Sequence, residues 1–218
     1  MNYLEPCQYS TRLIEKLESL DTKNVLDFDL INKAIYWAKK YHGDQKRKSG
    51  EAYYTHPLEV AYMISEHNLK TDVIVASVLH DIVEDTEVTV GMIFDNFSWR
   101  IAQMVDMLTR DRPDGTKLTI EEVITNAYQK QDNEVLLIKL IDRLHNMVTL
   151  DSISDNKKRQ IALETATVIV PFSKDINLEK VLNILSVQIL SPRDIPYLNK
   201  LYSMKFSCSL PLLLTYVS

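Results

Sequence analysis

Glycine is scarce in this chain, with four in 218 residues. Sandwiches and barrels rely on frequent glycine-bearing turns, so this scarcity argues for helices joined by short loops. Cysteine is almost missing as well. Cys7 and Cys208 stand far apart and form no redox or thiolate-metal motif. A reducing compartment, the cytoplasm, is the expectation. No apolar run is long enough to span a membrane, and the stretch 209–214 is short and broken by Pro211. The N-terminus has no basic segment followed by an apolar one, so no secretory signal and no membrane partner are expected. An excess of positive charge is also missing. With 25 basic and 30 acidic residues the formal charge is −5, which leaves no general field for nucleic acid. Nucleic acid is therefore not an expected partner. The composition says nothing about oligomeric state.

What is present is an ordinary globular chain, 45% hydrophobic, large enough for one domain with an appendage. Residues 1–26 read as a leader carrying a short amphipathic helix at 11–20. Residues 28–41 carry a helical stripe of Leu30, Ile31, Ala34, Ile35, Trp37 and Ala38. A polar loop bounded by Gly43 and Gly50 follows, then a helix with Pro57 in its first turn. The apolar run 73–79 predicts a central helix over about 72–85. Further helices are expected at 90–97 and 99–109, capped by Thr89 and Ser98, and from the capping-box pattern at Thr119 and Glu122 to about residue 130. The strongly apolar stretch 134–150 predicts a long helix, with others at 156–170, 178–190 and 195–203. The predicted fold is all-α, with little or no β structure. Its organisation is a leader (1–26), a main domain (27–171) and a C-terminal helical extension (172–218).

Polar residues at the end of an apolar run carry the chemistry. His80 and Asp81 close the run 73–79, and Glu84 and Asp85 follow one turn later. On one continuous helix all four side chains share a side. An imidazole and three carboxylates at the mouth of a core are costly unless a cation binds them, and carboxylates at a helix C-terminus also oppose the macrodipole. A solvated helix end with a core histidine is the plain alternative, and the quartet alone does not decide between them.

Two more polar groups sit in apolar surroundings. His56 precedes Pro57 at a loop-to-helix junction, and Asp142 lies inside the apolar stretch 135–142. Each has a plain reading, a helix-entry hydrogen bond for His56 and a salt bridge to Lys139 or Arg143 for Asp142. Together His56, His80, Asp81 and Asp142 would offer two imidazoles and two carboxylates. Such a set suits Mn²⁺, Fe²⁺ or Zn²⁺ better than Ca²⁺ and leaves positions for water and substrate. Spacing alone does not establish that they converge. Lys46-Arg47-Lys48 is the conspicuous basic run, and in an acidic chain it could serve a small anionic ligand.

Three blocks in order resemble the hydrolase domain of the RelA/SpoT family of alarmone enzymes, within the HD phosphohydrolase superfamily. They run from Arg47-Lys48-Ser49-Gly50-Glu51 through Tyr53-Tyr54-Thr55-His56-Pro57, then Leu79-His80-Asp81 with Glu84-Asp85-Thr86, then Lys139-Leu140 with Asp142-Arg143-Leu144-His145-Asn146-Met147. The resemblance covers about residues 28–165. It implies a helical domain that removes the 3′-pyrophosphate from guanosine tetra- or pentaphosphate, with a guanosine nucleotide as the partner. It implies one Mn²⁺ held at His56, His80, Asp81 and Asp142. Glu84 and Asp85 would orient or deprotonate the attacking water, and Arg47, Lys48, Ser49, Asn146 and Thr149 would contact the nucleotide. Ala52 stands where the family usually has proline, and Val148 where it usually has arginine. The pattern fades after Pro171 with no synthetase or regulatory module behind it, which implies the small hydrolase-only branch. Two rivals stand beside this reading: the same chemistry on another nucleotide or dinucleotide phosphate, and a non-catalytic alarmone-binding remnant.

Overall fold

Apolar residues at helical spacing and small polar residues at helix starts set the architecture. The computed structural model describes residues 5–149, without the side chains of residues 147 and 148. The chain divides into two compact units, Met1–His145 and Asn146–Ser218. Nearly all of the second, including the helices expected at 156–170, 178–190 and 195–203, lies outside the described residues.

The described elements are α1 (Gln8–Leu20), α2 (Phe28–His42), α3 (Thr55–Ile64), α4 (Thr71–Leu79), α5 (Ile82–Asp85), α6 (Val90–Asn96), α7 (Trp99–Leu108), α8 (Ile120–Gln129) and α9 (Asn133–Val148). The fold is all-α. Among the described residues there are only two isolated antiparallel bridges, Lys46 with Ala52 and Asp111 with Lys117. No described helix is long and apolar enough to cross a membrane. The expected caps form. Thr89 accepts from Met92 N–H, Ser98 from Ile101 N–H, and Thr119 and Glu122 close a reciprocal capping box. Each side-chain cap satisfies a donor the helix cannot, worth about 1 kcal/mol.

Helix α4 is the centre of the first unit. Val73 through Leu79 are all buried, and α2, α3 and α7 pack around it. Burying one Val, Leu or Ile is worth about 1.5–3 kcal/mol, so the unit organises around this segment. Helix α1, expected as part of a leader, buries Leu13 and Leu17 completely. It is also clamped to α3. Arg12 and Lys16 lie over the Tyr62 ring, at 4.3 and 3.6 Å from its centroid, and pair with Glu59 and Glu66.

One expectation fails. The central helix does not run unbroken to residue 85: it stops at Leu79, and a separate single turn, α5, begins at Ile82. His80 Nδ1 meets the Ser77 carbonyl at 2.8 Å, the carbonyl that the Asp81 N–H would take in an unbroken helix. Asp81 then adopts φ −99°, ψ −6°, outside ideal helical geometry. The quartet therefore does not share one helix face.

Two short hairpins of the same build flank this break. In each, an arginine N–H donates to a carbonyl four residues on, and a glycine N–H closes the turn back to that arginine's carbonyl: Arg47 with Glu51 and Gly50, Arg112 with Thr116 and Gly115. Gly50 and Gly115 sit at φ +90° and +82°, where a side chain would strain the backbone.

Candidate metal centre and its acidic pair

Three elements bring the cluster together. The start of α3 supplies His56, the break between α4 and α5 supplies His80 and Asp81, and α9 supplies Asp142. His56, His80 and Asp142 are buried, and each offers a ligand atom lying within 4.8 Å of the others. His56 Nε2 is 3.1 Å from Asp142 Oδ1 and 3.5 Å from Asp81 Oδ2. His80 Nε2 is 3.2 Å from Asp81 Oδ1 and 3.6 Å from Asp142 Oδ1. Those last distances suffice for charge attraction, yet His80 Nε2 is a buried nitrogen without a hydrogen-bond partner. A buried imidazole nitrogen aimed at two carboxylates fits a divalent cation. The four sequence-derived residues are thus brought together, with Asp81 at the more open edge.

The electrostatics agree. Burial pulls the His80 imidazole down, but Asp81 and Asp142 outweigh it and hold the group up at about 10. Burial pushes the Asp142 carboxyl up, yet Lys139, His56 and His80 bring it well below the ordinary carboxylate range. Asp81 follows the same pattern: burial opposes ionisation, and His80 and His56 overcome it. Among protein groups alone, the carboxylates recruit a proton onto His80. A divalent cation would compete for that place.

The plain reading of Asp142 is half realised. Its Oδ2 pairs with buried Lys139 Nζ at 3.0 Å, one helical turn away, while Oδ1 faces the histidines. The pair fixes the carboxylate's orientation and leaves one oxygen for the cluster.

Glu84 and Asp85 face different neighbours. Glu84 accepts a hydrogen bond from the backbone N–H of Arg110, at the base of the second hairpin. Arg110 Nε donates to Leu118 O at 2.7 Å and closes that hairpin's stem. Asp85 is exposed as a residue, but its carboxyl end is crowded. Lost solvation raises its pKa, and Asp81 adds to this, against a hydrogen bond from Tyr53 and the charges of His42 and His80.

Of the expected nucleotide contacts, Arg47 reaches the cluster's edge, where its NH1 lies 3.5 Å from His145 Nδ1. Lys48 and Ser49 are exposed in the first hairpin, and Ser49 Oγ donates to Glu51 at 3.2 Å. Asn146 and Thr149 belong to the second unit, where the Thr149 hydroxyl donates to the Asn146 carbonyl at 3.4 Å.

Several residues were not singled out by sequence reasoning. Tyr53 OH donates to Asp81 Oδ2 at 3.2 Å, and its ring stacks on His42 with centroids 4.7 Å apart. Gln45 bridges His42 Nδ1 at 2.9 Å and the Asp85 carbonyl at 2.7 Å. His145 Nδ1 lies 2.7 Å from His56 Nδ1. Burial lowers the His145 imidazole to about 3, helped by His56 and Arg47. Helical spacing offered a signal for His145, since it stands three residues after Asp142 on the same face.

Comparison with known proteins places this arrangement. A family model described as an HD domain matches residues 34–175. A protein of Myxococcus xanthus named GTP pyrophosphokinase is 36% identical over 179 residues, covering 77% of this chain and 24% of that protein. A protein of Aquifex aeolicus named guanosine-3′,5′-bis(diphosphate) 3′-pyrophosphohydrolase is 34% identical over 177 residues, covering 78% of this chain and 25% of that protein. The chain thus spans about a quarter of the length of these curated relatives. A solved structure, titled as a metazoan ortholog of SpoT that hydrolyzes ppGpp and plays a role in starvation responses, aligns with a TM-score of 0.59. It shares 21% identity and covers 83% of this chain and 95% of its own, a likeness of fold. With the model matching well over half its length and the His and Asp residues gathered as described, the chain belongs to the HD domain family.

Proposed function

We propose that this chain is a cytoplasmic, metal-dependent phosphohydrolase that removes the 3′-pyrophosphate from guanosine tetra- or pentaphosphate. The observation that carries the reading is the convergence of His56, His80 and Asp142 donor atoms within 4.8 Å beside Asp81. These four side chains would hold one divalent ion. Two nitrogens and two carboxylates without thiolate suit Mn²⁺, Fe²⁺ or Zn²⁺, and the resemblance to the RelA/SpoT hydrolase domain implies Mn²⁺ among them. Bound there, the ion would polarise a phosphoryl oxygen and acidify water.

The chain's own groups would do the rest. Glu84, held by the Arg110 N–H, and Asp85, whose raised pKa makes it a stronger base, would accept the proton of the attacking water. The water oxygen bonds to phosphorus as the bond between phosphorus and the 3′ oxygen breaks, and the proton that the acidic pair accepts is returned to that oxygen, which becomes a hydroxyl. Arg47, Lys48 and Ser49 would neutralise and orient the diphosphate. The relatives carry two names, kinase and hydrolase, over a quarter of their length. A histidine–carboxylate cluster next to an acidic pair supports hydrolysis for this part.

The deciding experiment incubates the purified chain with guanosine tetraphosphate and Mn²⁺ and measures pyrophosphate, alongside a panel of other nucleotides. Release of pyrophosphate with GDP is expected. Binding without turnover would make the chain a binding module, and turnover confined to another nucleotide would move the substrate.

A further inference from the structure

The contact between His56 and His145 has a consequence for the cluster. The two Nδ1 atoms are 2.7 Å apart, and both residues are buried. At that separation the contact holds one proton. Two protons would collide, and none would set two lone pairs against each other. The proton therefore belongs to one ring or the other, and for a neutral His56 imidazole, the form that can ligate a metal, its choice fixes the far nitrogen. If His56 Nδ1 carries it, His56 Nε2 is a bare lone pair 3.1 Å from Asp142 Oδ1. If His145 Nδ1 carries it, His56 Nε2 holds a proton and donates it to Asp142.

Arg47 biases that choice. Its guanidinium has only donors to offer, and NH1 points at His145 Nδ1 from 3.5 Å. A donor there favours His145 Nδ1 as an acceptor, which leaves the proton on His56 Nδ1.

We propose that His145 is a positioning residue that, together with Arg47, sets the tautomer of His56 and turns its Nε2 lone pair toward the metal-holding cluster. This rests on the metal-centre reading above and deepens it. The first hairpin then does more than face a substrate. Through Arg47 and His145 it touches the protonation pattern of the cluster.

The test uses the full chain labelled with ¹⁵N-histidine. Nitrogen shifts report which ring nitrogen carries the proton, in chelator and with Zn²⁺ as a diamagnetic probe. The expected result with Zn²⁺ is His56 protonated at Nδ1 and His145 accepting at Nδ1. Calorimetric titration with Zn²⁺, without nucleotide, should show affinity falling about 10–100-fold in His145→Ala, the scale for losing a partner behind a metal ligand. His145→Gln, whose side-chain oxygen can accept the same proton, should recover part of it. A Zn²⁺-loaded wild type with His56 protonated at Nε2 overturns the proposal, even if His145→Ala does not fold. Unchanged Zn²⁺ affinity in a folded His145→Ala also overturns it, as does a wild type that binds no divalent ion. Should the tautomer and affinities come out as expected while guanosine tetraphosphate is not hydrolysed, the functional reading falls and this one stands.

Discussion

Replacing Lys139 with methionine separates the two services Asp142 performs. Lys139 is 7% exposed, and its ammonium sits 3.0 Å from Asp142 Oδ2. Methionine keeps most of the packing volume, so the change is mainly one of charge. Deleting one partner of a buried ion pair costs about 3–5 kcal/mol, because the other charge stays behind unmatched. For a domain of this size each kcal/mol moves the melting point by roughly 2–4 °C. In chelator, Lys139→Met should then melt roughly 6–20 °C below wild type. A divalent ion near Asp142 Oδ1 would supply the missing positive charge, and a competing cation has gone. The rise in melting temperature on adding Mn²⁺ should therefore be larger in the variant than in the wild type. Thermal melts followed by circular dichroism, with chelator and with Mn²⁺, read both quantities. A variant melting within about 2 °C of wild type in chelator, or gaining no more than wild type from Mn²⁺, would refute the reasoning.

Asp142→Ala and His80→Ala should each lose metal retention and activity together, and elemental analysis finding full occupancy in both would remove the cluster from consideration. Glu84→Gln should keep metal and nucleotide binding while kcat falls by roughly 10²–10⁴, the scale of general-base loss; a wild-type kcat in steady-state assays would reduce Glu84 to a brace for the second hairpin. In chelator, stability should peak near neutrality. His80, raised to about 10 when folded, contributes stability that is present below its unfolded value of 6.5 and is lost as pH rises toward 10. His145, lowered to about 3, takes up its proton first in the unfolded chain, so stability also falls as pH drops from 6.5 toward 3. Urea melts across that range test both limbs, and saturating Mn²⁺ should flatten the alkaline one; stability still rising above neutrality in chelator would contradict the signs.

Helix positions were legible because periodicity and caps are local. The stripe of α2, the capping box of α8 and the apolar run of α4 need no knowledge of the rest of the chain. The break after Leu79 was not legible. It depends on the His80 ring taking the Ser77 carbonyl, a bond no hydropathy pattern signals. The four candidate ligands could be named from polar residues in apolar settings, but their convergence is tertiary. For the same reason Arg110 escaped notice, since its role is played by a backbone N–H reaching Glu84 from 26 residues away. Asp142 shows the limit of choosing between readings: it is both ion-paired with Lys139 and turned toward the histidines.

The clamp between α1 and α3 bears on where this protein can be cut. The HD domain match begins at residue 34, after α1 has ended. Yet Arg12 and Lys16 embrace Tyr62, on the helix whose opening turn carries His56. The stretch that the family model matches therefore leaves out a helix that packs directly against the one bearing His56. A fragment trimmed to residues 34–175 would keep every candidate ligand and lose the outer support of one of them, leaving its histidines intact in sequence and misplaced in space.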